Sequence, residues 1–278
     1  MGNNAKKHHF IPQCYLKGFQ YGNSKIPKIV VYDKKSMDNY IAAINKTACI
    51  EGFHTVKHEG ELNKNIIEQI LSKYEEAYIR RLKKVINTCY IDSKDKYILS
   101  KMMLMLRYRN PKFAKVYKVF FQKKLEAIAE FIFQKNNLKQ SGSFKDKFKI
   151  NVYNNCYIKK IIEAFNNKEA IRRIYSMNFS LLEVFENEYF LCSDSPVSFY
   201  KQSSQNNDFQ FEIFFPLNKN FAILCSDHSI LPYKKLTKKE VVAFNINTIL
   251  FADKYIYSPH KNDSIKLMIE MVNKYSCK

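Results

Sequence analysis

From Glu61 to Ile86, the apolar residues Leu62, Ile66, Ile70, Leu71, Tyr74, Tyr78, Leu82 and Val85 recur at three- and four-residue intervals. That is the spacing of one face of an α-helix. It predicts a long amphipathic helix and commits the centre of the chain to helical packing. Asp92 or Ser93 stands where an N-cap belongs, ahead of a second helix through Ile98, Leu99, Met102, Met103 and Leu106 that stops near Pro111. A third helix is expected from Phe113 to Gln134, an exposed polar loop from Asn136 to Lys147, and helical periodicity again over residues 156–174.

The last hundred residues change character. Phe179–Phe185, Tyr189–Cys192, Phe209–Phe215, Phe221–Cys225 and Thr248–Tyr257 read as strands separated by short polar turns. Helices are expected over Lys235–Asn245 and Ser264–Tyr275. Near the start, Lys28–Asp33 alternates and is rich in β-branched residues, a further strand, and Cys49–Val56 reads as a short loop and strand. The predicted fold class is α+β, with a central helical region and a mostly antiparallel C-terminal sheet. The expected organisation is one domain over 1–278. Its helical subregion spans about 61–175, and its sheet-rich subregion, about 176–260, is joined by the N-terminal segment.

Composition narrows the classes. The chain has 278 residues, only six glycines, no tryptophan and no apolar run long enough to span a bilayer. The N-terminus has no secretory h-region and fails as a myristoylation signal. Seven scattered cysteines with no C-x-x-C pair argue against a disulfide framework or a zinc knuckle. They read as reduced, mostly buried side chains, and the expected location is cytoplasmic. Lys+Arg 46 against Asp+Glu 26 gives a net charge of +20, which attracts polyanions such as nucleic acid. Lysine-rich usage of the kind AT-rich coding produces is the competing explanation of that charge. Walker-type loops, dinucleotide fingerprints and G-x-S-x-G are all absent.

Two of the six histidines are adjacent, in Lys6-Lys7-His8-His9-Phe10-Ile11-Pro12-Gln13. Taken with Tyr15-Leu16-x-x-Phe19, Val31-Tyr32-Asp33, Arg109-x-Pro111, Ser193-Asp194-x-Pro196, Phe215-Pro216-Leu217 and Asn247, this motif resembles the domain of unknown function 4238 family, from about His8 to Pro259. The resemblance implies a residue list and fold limits; it implies no reaction. A tryptophan often seen before the Ser-Asp-x-Pro strand is replaced here by Phe179 or Leu181.

In an extended segment His8 and His9 point to opposite sides, and His9 is the one favoured for a pocket. Gln13 is expected either to position a phosphate or water or to cap the helix through Tyr15 and Leu16. Glu68 and Glu75, seven apart on the long helix, share a face. They are candidate metal ligands with His9 and Asp194, against the alternative of a solvated, lysine-paired face. Asp194, at a strand end, is a candidate metal ligand or general base, unless it merely satisfies backbone N–H groups in its turn. Arg109 is expected to clamp a phosphate or to fork onto Asp194, or else to pair the helical and sheet regions. His54, His58, His228 and His260 are read as isolated surface or structural residues.

These residues suit one chemistry best. His9, Gln13, Arg109 and Asp194 as catalytic groups, with a divalent metal (Mg or Mn), would make a metal-dependent nuclease or phosphodiesterase acting on RNA or DNA, fitted to bacterial or phage defence. The alternatives are a non-catalytic protein binding nucleic acid or an anionic ligand, and a structural, partner-binding protein.

Overall fold

A computed structural model describes residues 7–58, 61–63, 66–136, 155–164, 166–203 and 209–276. In chain order the strands are β1 (Lys7–His9), β2 (Lys28–Asp33), β3 (Asn39–Ala43), β4 (Cys49–Glu51), β5 (Val56–His58), β6 (Glu61–Asn63), β7 (Asn178–Glu183), β8 (Cys192–Ser193), β9 (Ser198–Ser203), β10 (Phe209–Pro216), β11 (Phe221–Ser226), β12 (Tyr233–Lys235) and β13 (Tyr255–Ser258). The helices are α1 (Gln13–Leu16), α2 (Ile66–Thr88), α3 (Ser93–Tyr108), α4 (Pro111–Lys135), α5 (155–164), α6 (Lys168–Tyr175), α7 (Lys238–Phe251) and α8 (Asp263–Ser276). The class is α+β, as the periodicities imply.

Two sheets carry the C-terminal half. One has the order β12-β7-β11-β10-β9 and is antiparallel except where β12 runs parallel to β7. The other, β3-β2-β13-β8, joins strands from both ends of the sequence. Its β2 is buried on both faces. Ile29 and Val31 face the main core with Tyr257 and Cys192, while Val30 and Tyr32 face a second core with Ile256, Ile249, Ile265 and Ile269. The expected alternation is not found: Ile29-Val30-Val31-Tyr32 is a continuous apolar run, as a strand covered on both sides requires. Each such side chain contributes about 1.5–3 kcal/mol when fully removed from water.

Helix α2 buries Ile67, Leu71, Tyr78, Leu82 and Val85, the stripe its spacing predicts. It begins at Ile66 rather than Glu61, because Glu61–Asn63 pairs with Val56–His58 as a short antiparallel ladder. Helix α3 starts on an Asp92 capping box with Asp95, whose side chain and backbone exchange hydrogen bonds with Asp92. Asn110 caps α4, with Pro111 at its first turn. The loop expected from Asn136 to Lys147 lies outside the described residues beyond Asn136.

Three expectations are corrected. Thr248 to Phe251 is helical, not the start of a strand. A Thr237–Glu240 capping box launches α7, and the burial of Thr248 and Ile249 outweighs their β-propensity. Strand β8 is confined to Cys192–Ser193, not Tyr189–Cys192. The cysteines are not mostly buried: among the described residues Cys192 and Cys225 are buried, Cys89 is exposed, and Cys14, Cys49 and Cys156 are intermediate.

Candidate functional site

The family motifs meet around α1. The Tyr15 hydroxyl donates to the Pro216 carbonyl at 2.6 Å, and its ring stacks on Phe215 at 5.5 Å. Gly18 lies so close to the Leu217–Asn218 turn that a Cβ there would sit 2.9 Å from the Asn218 Cβ. These contacts fasten the N-terminal segment to β10 and deliver β1 beside α2.

There the structure assembles a buried polar cluster. His8 is fully buried, and its Nδ1 accepts the His54 backbone N–H at 2.7 Å. The two imidazoles stack with centroids 5.5 Å apart. His54 Nδ1 lies 2.6 Å from Glu68 Oε1. The other Glu68 oxygen is 3.8 Å from Arg109 Nη2, and Arg109 Nη1 lies 2.7 Å from Glu75 Oε1. Arg109 is 1% exposed, whereas Glu68 and Glu75 retain 29% and 22%, so the carboxylates form the solvent side of the cluster. His9 belongs to the same neighbourhood. It hydrogen-bonds the Asn45 backbone and feels the charges of Arg109, Glu68 and Glu75.

Burial drives the His54 pKa down to about 4, opposed by its hydrogen bond to Glu68 and aided by the Arg109 charge. The contact with Glu68 is therefore a neutral imidazole donating to a carboxylate near pH 7. Burial works to raise the Glu68 carboxyl, but the His54 hydrogen bond and the Arg109 charge outweigh it, and the net direction is downward. Burial, then Arg109, lowers His9. Cys14, 3.9 Å from Glu75, is pushed up to about 12 by burial and stays a thiol.

These hydrogen bonds also fix tautomers. His54 carries its proton on Nδ1 and presents a lone pair at Nε2. His8 accepts at Nδ1 and, when neutral, presents an N–H at Nε2. The Nε2 atoms of His8, His9 and His54 and the Arg109 Nε are all buried with no hydrogen-bond partner. Buried polar atoms are seldom left so, and several together mark a place for a ligand, ion or water. Potential ligand atoms of His8, His54 and Glu68 lie within 4.8 Å of one another, the one such group among the described residues. The donor chemistry is uneven. His54, with a carboxylate on its Nδ1–H, has the usual setting of a ligating imidazole. His8 offers a lone pair only if its ring turns or its proton leaves.

Of the residues singled out from sequence, His9, Glu68, Glu75 and Arg109 come together. Asp194 does not join them. It is 6% exposed, and its carboxylate accepts the backbone N–H groups of Asp253, Lys254 and Tyr255 at 2.7–2.9 Å. Burial raises its pKa, with those three donors opposing. Arg109 forks onto Glu75 and Glu68 rather than Asp194; its neighbour Asn110 bonds the Asp194 carbonyl at 2.6 Å. Gln13 is exposed and opens α1 without capping it, since no side chain caps that helix. A buried amide late in the chain, Asn245, accepts the Leu191 N–H and donates to the Tyr189 carbonyl.

His54 is a component that sequence reasoning missed. It looks isolated in the sequence because only β-pairing and the Gly52 turn bring it to His8. The side chain of His58 lies outside the described residues, and His228 and His260 lie elsewhere in the fold.

Fold and cluster together define an α+β protein whose N-terminal strand, long helix and Arg-x-Pro helix junction close around a histidine–carboxylate–arginine centre. Residues 7–262 match the family described as protein of unknown function (DUF4238), and the chain belongs to that family. No match was found among curated proteins or among solved structures. No described helix is long and apolar enough to cross a membrane.

Proposed function

We propose that the protein is a metal-dependent phosphodiester hydrolase, a nuclease or related phosphodiesterase acting on RNA or DNA. One observation carries this reading. The chain is strongly basic at +20, yet Glu68, Glu75 and Arg109 leave the cluster with a surplus negative charge, and burial holds the His9 and His54 pKa values down. A locally negative, nitrogen- and oxygen-rich pocket suits a cation, and a positive exterior suits a polyanion.

Glu68 and Glu75, on the solvent side, are the residues that would hold Mg2+ or Mn2+, and His54, whose Nδ1–H donates to Glu68, orients that carboxylate. Such an ion supplies charge against a phosphate oxygen and acidifies a water. The Glu68–Arg109–Glu75 bridge fixes the spacing of the two carboxylates. His9, neutral because its pKa is depressed, has an unpartnered Nε2 suited to accept a proton from the attacking water. Asp194 has no role in this chemistry.

The test is cleavage of end-labelled single- and double-stranded RNA and DNA with Mn2+, Mg2+ or EDTA. Cleavage that needs the cation and is lost in Glu68→Gln and His9→Ala, with melting temperatures retained, is the expected result. Cleavage indifferent to both substitutions overturns the assignment. Salt-sensitive binding without cleavage would instead favour the non-catalytic nucleic-acid-binding reading.

A further inference from the structure

Away from the cluster, helices α2, α3 and α6 border an open pocket of about 700 Å3. Its cationic side chains are Arg80, Arg81, Lys84 and Lys94, and its aromatic ones Tyr97 and Tyr175. Ala77 and Ile98 complete an apolar lining. We infer that this pocket binds single-stranded nucleic acid, stacking bases on Tyr97 and Tyr175 and holding phosphates at Arg80 and Lys94. The inference deepens the proposed function by naming single strands as the substrate class, and it rests on that reading only for the claim that the bound strand is also cut.

The residues divide by availability. Lys84 lies 2.5 Å from Asp95, and Arg81 lies 3.5 Å from the same carboxylate. Those two cations are largely neutralised by Asp92 and Asp95 and act as a scaffold. Arg80 and Lys94 make no ion pair among the described residues and keep their charge for an incoming anion. Tyr97 and Tyr175 are exposed, at 45% and 37%. Lys101 lies 5.3 Å from the Tyr97 ring centroid, covering one face with positive charge. Cations beside exposed aromatic faces are the combination that single-strand grooves use, and stacking needs bases that are not already paired.

Position along α2 supplies the second argument. A smaller pocket of about 420 Å3 is lined by Cys14, Ser72, Glu75, Glu76, Ile79 and Arg80. It shares Arg80 with the basic pocket and Glu75 with the buried cluster. The two hollows therefore border each other at Arg80, on neighbouring faces of the helix. From Glu68 to Lys84 the axial rise is about 24 Å. Glu75 and Glu76 make the smaller pocket acidic, so phosphates are gripped on the Arg80 side.

The experiment measures anisotropy of a fluorescein-labelled oligo(U) 12-mer and an oligo(dT) 12-mer in EDTA, so that binding is read without cleavage. A 12-base-pair duplex is the comparison. Tyr97→Ala/Tyr175→Ala is expected to weaken the single strands about tenfold or more, with Tyr97→Phe/Tyr175→Phe restoring binding. Arg80→Ala should lower the salt slope by about 0.7, the share of one phosphate contact. Lys25→Ala removes an equal charge from an exposed site elsewhere and should leave the affinity nearly unchanged. Single-strand binding that ignores the tyrosine substitutions in a folded protein overturns the inference. Equal losses from Lys25→Ala and Arg80→Ala, or duplex binding with the same tyrosine dependence, do so too. Hydrolysis of bis(4-nitrophenyl) phosphate, too small to reach both the basic pocket and the cluster, reports on the cluster separately. Its persistence alongside tyrosine-independent binding would remove this pocket and leave the proposed function standing.

Discussion

The Nδ1 of His54 lies 2.6 Å from the Oε1 of Glu68, joining a fully buried imidazole to a carboxylate that still touches solvent. The pair links a short turn after β4 to the first turns of α2. It therefore makes the position of the long helix depend on the protonation state of one ring.

That dependence predicts an acid limb of stability. An unfolded histidine titrates near 6.5, whereas His54 in the fold titrates near 4. Between those values the unfolded chain binds more protons, so stability rises with pH across the window and is lost as pH falls through it. The full difference is about 3 kcal/mol. Depressed Glu68 and His9 pKa values act in the same direction. Urea midpoints from pH 7 to pH 4 should fall steeply in the native chain and less steeply in His54→Gln. Parallel slopes would refute the assignment.

Arg109 is the hub between the two glutamates. Arg109→Ala leaves both carboxylates without their cation and opens a cavity, and should cost about 3–5 kcal/mol. Arg109→Lys keeps the charge but cannot reach both oxygens as a planar fork, so it should recover only part of the loss. Denaturant titration of the three proteins gives the ranking.

Asp194 is expected to behave as a structural residue. Asp194→Ala strands three backbone N–H groups of the turn before β13 and should cost at least about 2–3 kcal/mol. On the proposed reading, turnover of nucleic acid per folded molecule should stay within about twofold of the native chain, since its carboxylate is occupied by the 253–255 backbone. A loss of turnover far larger than the loss of folded protein would return Asp194 to the chemistry.

Gly18 is needed for close approach. Its carbonyl accepts the Lys219 N–H at 3.0 Å, and a Cβ would collide with the backbone-bound Cβ of Asn218. Gly18→Ala should destabilise the chain by about 1–3 kcal/mol, the usual cost of forcing atoms into a packed interface. The thermal midpoint measures it directly.

The helices were legible because their signals are local. Asp92 caps α3 within three residues, and the α2 stripe repeats within one element. The cluster was half legible. Glu68 and Glu75 stood out by their seven-residue spacing, and His9 and Arg109 by their motifs. His54 had no local signal, since its partner His8 is 46 residues away. Asp194 misled because a carboxylate at a strand end looks the same whether it faces a cleft or a backbone turn. Which of the two applies depends on where residues 253–255 return.

Sequence alone determined the α+β class, the apolar face of α2, the strand at Lys28–Asp33, and which residue types with acid–base chemistry were present. Only the tertiary structure decided that His8, His54, Glu68, Glu75 and Arg109 share one interior while Asp194 is tied to β13. Periodicity and caps act over a few residues and are written in the order of the chain. The pairing of β1 with β4, and the docking of α1 on β10, join distant segments through packing that no local pattern encodes.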